Sequence, residues 1–284
     1  MSTIRITETV RDALQGIPGF ISTEKKTTYV QSLLKVGFDC IDIGSFVSSK
    51  AVPQMADTWQ VIQNMDFTGS SSQVMVLVVN EKGAEKAAGI PQINCISFPY
   101  SVSPSFLQRN LKQTKQAATD LIRNIATSSY AHRLAFIVYL SMGFGNSYGD
   151  DWSLSLLKDT VSEFYQLGIR NMPLSDILGE ASPDRIFSVY NNLIPMFPDV
   201  DFGLHLHTRP DESYAKLDAA YEAGVRSFET VLNGLGGCPF AADEMIGNLS
   251  TQDFIAFCDK KKIPLNLDLT ALEHVSTIAK RLIL

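Results

Sequence analysis

The sequence predicts a (β/α)8 barrel, the TIM-barrel class, and three observations carry that expectation. Strand-like runs alternate with helix-like runs eight times. The 284 residues match the usual size of such a barrel. No Pro/Ser-rich linker or shift of composition divides the chain, so residues 1–284 are expected to form one domain. An open doubly wound sheet is the competing arrangement, and eight units favour the closed form.

Each element has its own justification. Thr3 to Thr9 alternates and is rich in β-branched residues, the pattern of a strand; Arg11-Asp12-Ala13-Leu14-Gln15-Gly16 follows its C-terminal end. Ser22 or Thr23 can cap a helix from Glu24 to Val36, which Gly37 ends. Phe38 to Ile43 is a second strand running into Gly44-Ser45-Phe46-Val47, and a helix spans Gln54 to Asn64. Gln73 to Val79 is almost wholly apolar, as in a strand covered on both faces. A short helix, Glu81 to Ala88, and a strand, Ile93 to Phe98, lead to one long helix opened by Ser103 or Ser105 and running towards Ala126. Leu134 to Leu140 is the fifth strand, followed by a helix from Asp151 or Ser153 to Leu167. Ile169 to Leu174 is the sixth, with Ser175-Asp176 at its end, and Pro183 suits the first turn of a helix reaching Leu193. Phe202 to Leu206 is the seventh strand, carrying His205 and His207 at its end. Tyr214 to Ala223 is helical, Gly224 turns the chain, and Ser227 to Leu232 is the eighth strand. A glycine-rich loop with Cys238 follows, and a helical pattern resumes after Asn248.

Composition narrows the function. Hydrophobic residues make up 45% and the mean hydropathy is +0.05, ordinary for a soluble globular protein. A formal charge of -6 and a pI near 5.3 argue against a nucleic-acid or anionic-membrane partner, while leaving room for one basic pocket. No run approaches membrane-spanning length, and Met1 to Thr9 has no apolar stretch to act as a secretory signal. The four cysteines, Cys40, Cys95, Cys238 and Cys258, are too sparse for a disulfide framework and lack paired metal spacing. A cytoplasmic location is expected.

In a barrel of this kind, chemistry gathers at the C-terminal ends of the strands. Arg11 and Asp12 fall there after the first strand, Asp42 near the end of the second, and Asp176 after the sixth. His205 and His207 end the seventh, and Cys238 and Asn248 follow the eighth. In His205-Leu206-His207 the two imidazoles share one strand face, with α-carbons about 6.5–7 Å apart, so both can reach one ion. Two histidines alone suggest zinc as readily as any metal, and Cys238 could serve as a third, soft ligand. Adding Asp12 and Asn248 gives nitrogen, carboxylate and amide donors, a set suited to octahedral Mg2+ or Mn2+. Plainer readings exist for each residue. Arg11 can be a buried partner of Asp12 or Asp42, Asp176 a helix cap, and Cys40 and Cys95 small core residues.

Four stretches together resemble the 3-hydroxy-3-methylglutaryl-CoA lyase family, within the metal-dependent barrel lyases. They are Arg11-Asp12-Ala13-Leu14-Gln15; Ser45 through Met55; Gly203-Leu204-His205-Leu206-His207; and Gly234-Leu235-Gly236-Gly237-Cys238-Pro239 through Gly247-Asn248-Leu249. The first is shared with condensing relatives such as isopropylmalate synthase; the second and fourth are specific to the lyase branch. The resemblance covers essentially the whole chain. It implies a single catalytic barrel acting on an acyl-CoA, with Mg2+ or Mn2+ bound by Asp12, His205, His207 and Asn248. It further implies that Arg11 faces the thioester oxygen, that Cys238 is a mobile-loop acid, and that Asp42, Asp176 or His205 supplies acid–base chemistry. A homodimer formed by packing is compatible with it. A disulfide-linked one is not expected, because Arg281-Leu282-Ile283-Leu284 carries no cysteine.

The sequence also departs from that pattern. Ala13 stands where the family has glycine, and Asp42 where it has glutamate. Gly16 to Ser22 is uncharged where better-known lyases carry a lysine. Thr208-Arg209-Pro210-Asp211 replaces Asp-Thr-Tyr-Gly, and the interval from Cys238 to Asn248 is one residue longer. Three functions therefore stand side by side: cleavage of 3-hydroxy-3-methylglutaryl-CoA; cleavage or condensation of a different acyl group on the same metal; and an acyl-CoA- or metal-binding barrel without turnover.

Overall fold

The structure is a computed structural model that describes residues 3–237 and 246–283. Eight strands close a barrel in sequence order: β1 (Arg5–Glu8), β2 (Cys40–Ser45), β3 (Gln73–Leu77), β4 (Cys95–Ser101), β5 (Ala135–Ser141), β6 (Leu174–Asp176), β7 (Leu204–Leu206) and β8 (Ser227–Thr230). Every pairing is parallel, and β1 pairs with both β2 and β8, which leaves no free edge. Helices join consecutive strands: α1 (Val10–Gln15) and α2 (Thr23–Leu33), α3 (Thr58–Gln63), α4 (Glu81–Ala88), α5 (Pro104–Leu111) and α6 (Lys115–Ala131), α7 (Leu154–Gln166), α8 (Pro183–Met196) and α9 (Pro210–Glu222). Helices α10 (Thr251–Lys261) and α11 (Leu269–Ile283) follow β8. Among the described residues no helix is long and apolar enough to cross a membrane.

Helix starts follow local chemistry. The side chains of Ser22, Asn80, Ser103, Ser153, Ser182 and Ser250 each accept a backbone N–H of the first turn and satisfy a donor that has no intrahelical partner. Apolar residues of the strand faces pointing away from the barrel axis pack on the helices, as Ile41, Ile96, Phe98, Val138 and Phe228 do in the main core.

Two features correct the expected elements and a third adds to them. The long helix from Ser103 to Ala126 is two helices, because Lys112 takes a left-handed backbone (φ 57°) that ends α5 and Thr114 caps α6 anew. The sixth strand is displaced towards its C-terminal end. Pro173 has no N–H to give to the ladder, so continuous pairing begins at Leu174, with two isolated bridges at Asn171, to Ile137 and Asp201, before it. Arg11 and Asp12, which the sequence places only after the first strand, belong to a short helix, α1.

The barrel interior is layered. At the bottom, Cys40, Met75 and Cys95 form a small apolar cluster with Ala135 and Ile137. Above it lies a polar layer. Asp42 is two residues beyond Cys40, Ser97 beyond Cys95, and Tyr139 beyond Ile137, and alternation keeps each on the inward face. Parallel register sets Ser175 beside His205 and His205 beside Glu229, so β6, β7 and β8 add three more polar side chains at adjacent heights.

Candidate metal centre at the barrel mouth

The polar layer ends in a tight group of donors. Asp12 Oδ2 lies 3.5 Å from His205 Nε2 and 3.8 Å from His207 Nε2, and the two Nε2 atoms are 3.3 Å apart. Asp12, His205 and His207 are all buried and form a potential metal site. Helix α1 presents Asp12 from above β1, while β7 and the residue after it present the histidines two positions apart on one face. Ligand atoms at about 2.1 Å from one ion lie on the order of 3 to 3.4 Å from each other, so the three donors surround a space of ionic size.

Asn248 joins this group through the backbone. It forms an antiparallel bridge with His207, and its amide nitrogen donates to Leu235 O at 2.8 Å, which fixes which end of the amide is oxygen. The glycine-rich stretch before it sits directly on α1. Gly236 has φ +79°, and a Cβ there would stand 2.6 Å from Asp12 O, so only glycine lets the loop approach so closely. Cys238 lies outside the described residues.

Arg11 is the other anchor. Its Nε and Nη2 reach Asp42 Oδ2 at 2.9 and 2.8 Å, and its Nη1 reaches Asp12 Oδ1 at 3.1 Å and Gln15 Oε1 at 3.4 Å. Gln15 in turn donates to Asp12 Oδ1. Among the described residues, four of the five guanidinium N–H groups are thereby committed, leaving one on Nη2. Burial alone would favour a neutral Asp12, but the Arg11 guanidinium and the two imidazoles hold its carboxyl well below the usual range. Asp42 goes the other way. Burial pushes it up to about 6 despite Arg11, with Glu229 and Asp12 adding to the rise, and its Oδ1 has no hydrogen-bond partner among the described residues.

Asp176 is not one of the three donors. Its two oxygens accept the backbone N–H groups of Glu180 (3.2 Å) and Ala181 (2.9 Å), tying down the turn that precedes α8. Two residues of the polar layer escape a reading of the sequence. Glu229 accepts from Tyr139 Oη at 2.7 Å and lies 2.8 Å from His205 Nδ1. A glutamate in β8 that faces the same interior as His205 is the trace it leaves in the sequence. The donors open into a cleft of about 650 Å³ that runs past Ser48, Leu77, Asn80 and Phe106 to Asn110 and Lys112.

With this geometry in place, a family model described as HMGL-like matches residues 3–278. The chain belongs to the HMGL-like family. Among curated relatives of the family, the (R)-citramalyl-CoA lyase of Chloroflexus aurantiacus is 28% identical over 92% of this chain and 85% of its own length. The hydroxymethylglutaryl-CoA lyase of Bacillus subtilis is likewise 28% identical, over 92% of this chain and 87% of its own. A solved HMG-CoA lyase from Acinetobacter baumannii, in complex with coenzyme A and 3-methylmalate, superposes with a TM-score of 0.91 at 29% identity, covering 99% of this chain and 91% of that one. This HMGL-like chain is a carbon–carbon lyase, and its barrel is that of the HMG-CoA lyases.

Proposed function

We propose that the chain is a divalent-metal-dependent lyase that cleaves 3-hydroxy-3-methylglutaryl-CoA to acetyl-CoA and acetoacetate by retro-Claisen chemistry. The observation that carries this reading is the convergence of Asp12, His205 and His207, donor atoms 3.3–3.8 Å apart, on a cleft of about 650 Å³. These three residues and Asn248 would hold Mg2+ or Mn2+. The cation would lower the pKa of the substrate's hydroxyl group and orient it.

The remaining work falls to the chain's own side chains. Asp42, with one oxygen unpartnered among the described residues, is the acid–base group we favour for the hydroxyl proton; Asp176 has both oxygens occupied by backbone donors. His205 is better suited to metal binding than to proton transfer, since Nε2 faces the other donors and Nδ1 faces Glu229. Breaking the C–C bond builds negative charge on the thioester oxygen. The uncommitted N–H of Arg11 is positioned by Asp42 and Asp12 to meet that charge, an interaction that strengthens as the bond breaks. Cys238 would then protonate the departing enolate carbon from its glycine-rich loop. Residues 1–284 would act as one catalytic unit in the cytoplasm, where the buried, free Cys40, Cys95 and Cys258 stay reduced.

A second reading has its own support: the citramalyl-CoA lyase is as similar as the hydroxymethylglutaryl-CoA lyase, so another 3-hydroxyacyl group on the same site is the alternative. One experiment separates them. Release of the ketoacid and acyl-CoA products is followed with Mg2+ or Mn2+ across a panel of 3-hydroxyacyl-CoA thioesters that includes both substrates. Preference for the hydroxymethylglutaryl thioester, lost in Asp12→Ala and Cys238→Ala, supports the first reading. Preference for the citramalyl thioester supports the second, and metal binding without release of any product contradicts both.

A further inference from the structure

Glu229 has no place in the reaction just described, yet it is a buried acid beside a proposed metal ligand. It is 7% exposed and Tyr139 is 5% exposed, and neither is an incidental neighbour. Register places Glu229 directly beside His205 on adjoining strands, and both carboxylate oxygens are engaged, one by Tyr139 Oη and the other by His205 Nδ1. The two histidines differ in this respect. His207 Nδ1 is buried with no partner among the described residues.

We propose that Glu229, held in place by Tyr139, is a positioning residue for the cation site, fixing His205 as the Nδ1–H tautomer with its Nε2 lone pair aimed at the ion. The inference rests on the metal-site reading above and deepens it. An imidazole that gives its lone pair to a cation through Nε2 must carry its proton on Nδ1, where it needs an acceptor in a buried setting. Glu229 offers one carboxyl oxygen to Nδ1, and Tyr139 donates to the other, which keeps that carboxyl group from rotating away. The same contact adds electron density to the ring and makes His205 the stronger imidazole donor of the pair. His207, without such a partner, is positioned by its backbone: its N–H donates to Asp176 O at 2.9 Å, and it bridges to Asn248.

The test is binding of Mn2+ to the intact protein, read from the loss of the free-ion electron paramagnetic resonance signal, together with the 15N shifts of the histidine rings. With diamagnetic Mg2+ bound, wild type is expected to show His205 protonated at Nδ1 and unprotonated at Nε2. Glu229→Ala should weaken Mn2+ binding roughly 10- to 100-fold. Glu229→Gln keeps an acceptor for Nδ1–H and should recover most of the loss. Tyr139→Phe removes one hydroxyl, guards against a variant that merely fails to fold, and should weaken binding less than Glu229→Ala. Binding in Glu229→Ala and Tyr139→Phe equal to wild type, with Asp12→Ala abolishing it, overturns this inference and leaves the metal site standing. Failure of wild type itself to bind Mn2+ overturns the metal site and this inference with it.

Discussion

Glu8 offers a prediction whose size follows from its surroundings. It is wholly buried on the outer face of β1, and it accepts Leu232 N at 2.6 Å, Thr251 Oγ1 at 2.8 Å and Thr230 Oγ1 at 3.4 Å. It therefore pins the start of the post-β8 segment to the start of α10, on either side of the sequence stretch that contains Cys238. Burial outweighs these three donors and lifts its carboxyl from 4.5 to about 7. The folded state then holds a proton that the unfolded chain releases between those values. A raised acid contributes stability that is complete below the unfolded pKa and is lost as pH climbs to the folded one. The loss amounts to about 3 kcal/mol between pH 4.5 and 7 and levels off above it. Glu8→Gln keeps an acceptor for Leu232 N and a donor for Thr251 but cannot ionise. Urea unfolding of both proteins, followed by circular dichroism from pH 4.5 to 8, should show near-equal stability at the acid end. At pH 8 the variant should lead by about 3 kcal/mol. A difference between the two that stays constant across this range would refute the reasoning.

Two further substitutions probe the mouth of the barrel. Arg11→Lys keeps the charge but not the fork that grips Asp42 and Asp12, so kcat should fall about 10²- to 10³-fold while the midpoint of thermal unfolding changes little; an unchanged kcat would remove Arg11 from the reaction. Gly236→Ala places a methyl group 2.6 Å from Asp12 O at a left-handed backbone position, costing about 1–2 kcal/mol from the backbone alone. It should also weaken metal binding, because relief of the contact moves α1. Calorimetry checks the stability change and Mn2+ titration the affinity.

The barrel was legible in the sequence because each strand–helix unit carries its own periodicity and punctuation, and eight of them in order leave little choice of topology. The convergence of Asp12, His205 and His207 was legible for the same reason: strand ends of a closed barrel meet at one mouth. Failures came where a local rule competed with context. Ser103 and Thr114 are both good caps, yet a continuous helical pattern between them hid the left-handed Lys112 that separates α5 from α6. Pro173 interrupts what reads as an unbroken strand. Helix α11 was missed because nothing in the eight-unit count requires it; it packs Leu272, Val275 and Ala279 into the core beside α2. Glu229 and Tyr139 were overlooked because a single acid or tyrosine in a strand normally reads as a surface residue. Only the register against β7 turns Glu229 towards His205.

The central claim is that one cation is held at the barrel mouth by the carboxylate of Asp12 and the imidazoles of His205 and His207. Pulsed electron paramagnetic resonance of the Mn2+-loaded protein tests it most directly, because nitrogens bonded to the ion give resolved 14N couplings. Two imidazole nitrogens are expected, with one lost in His205→Ala and one lost in His207→Ala. Mn2+ that binds without any nitrogen coupling, or with couplings indifferent to both substitutions, would contradict the account.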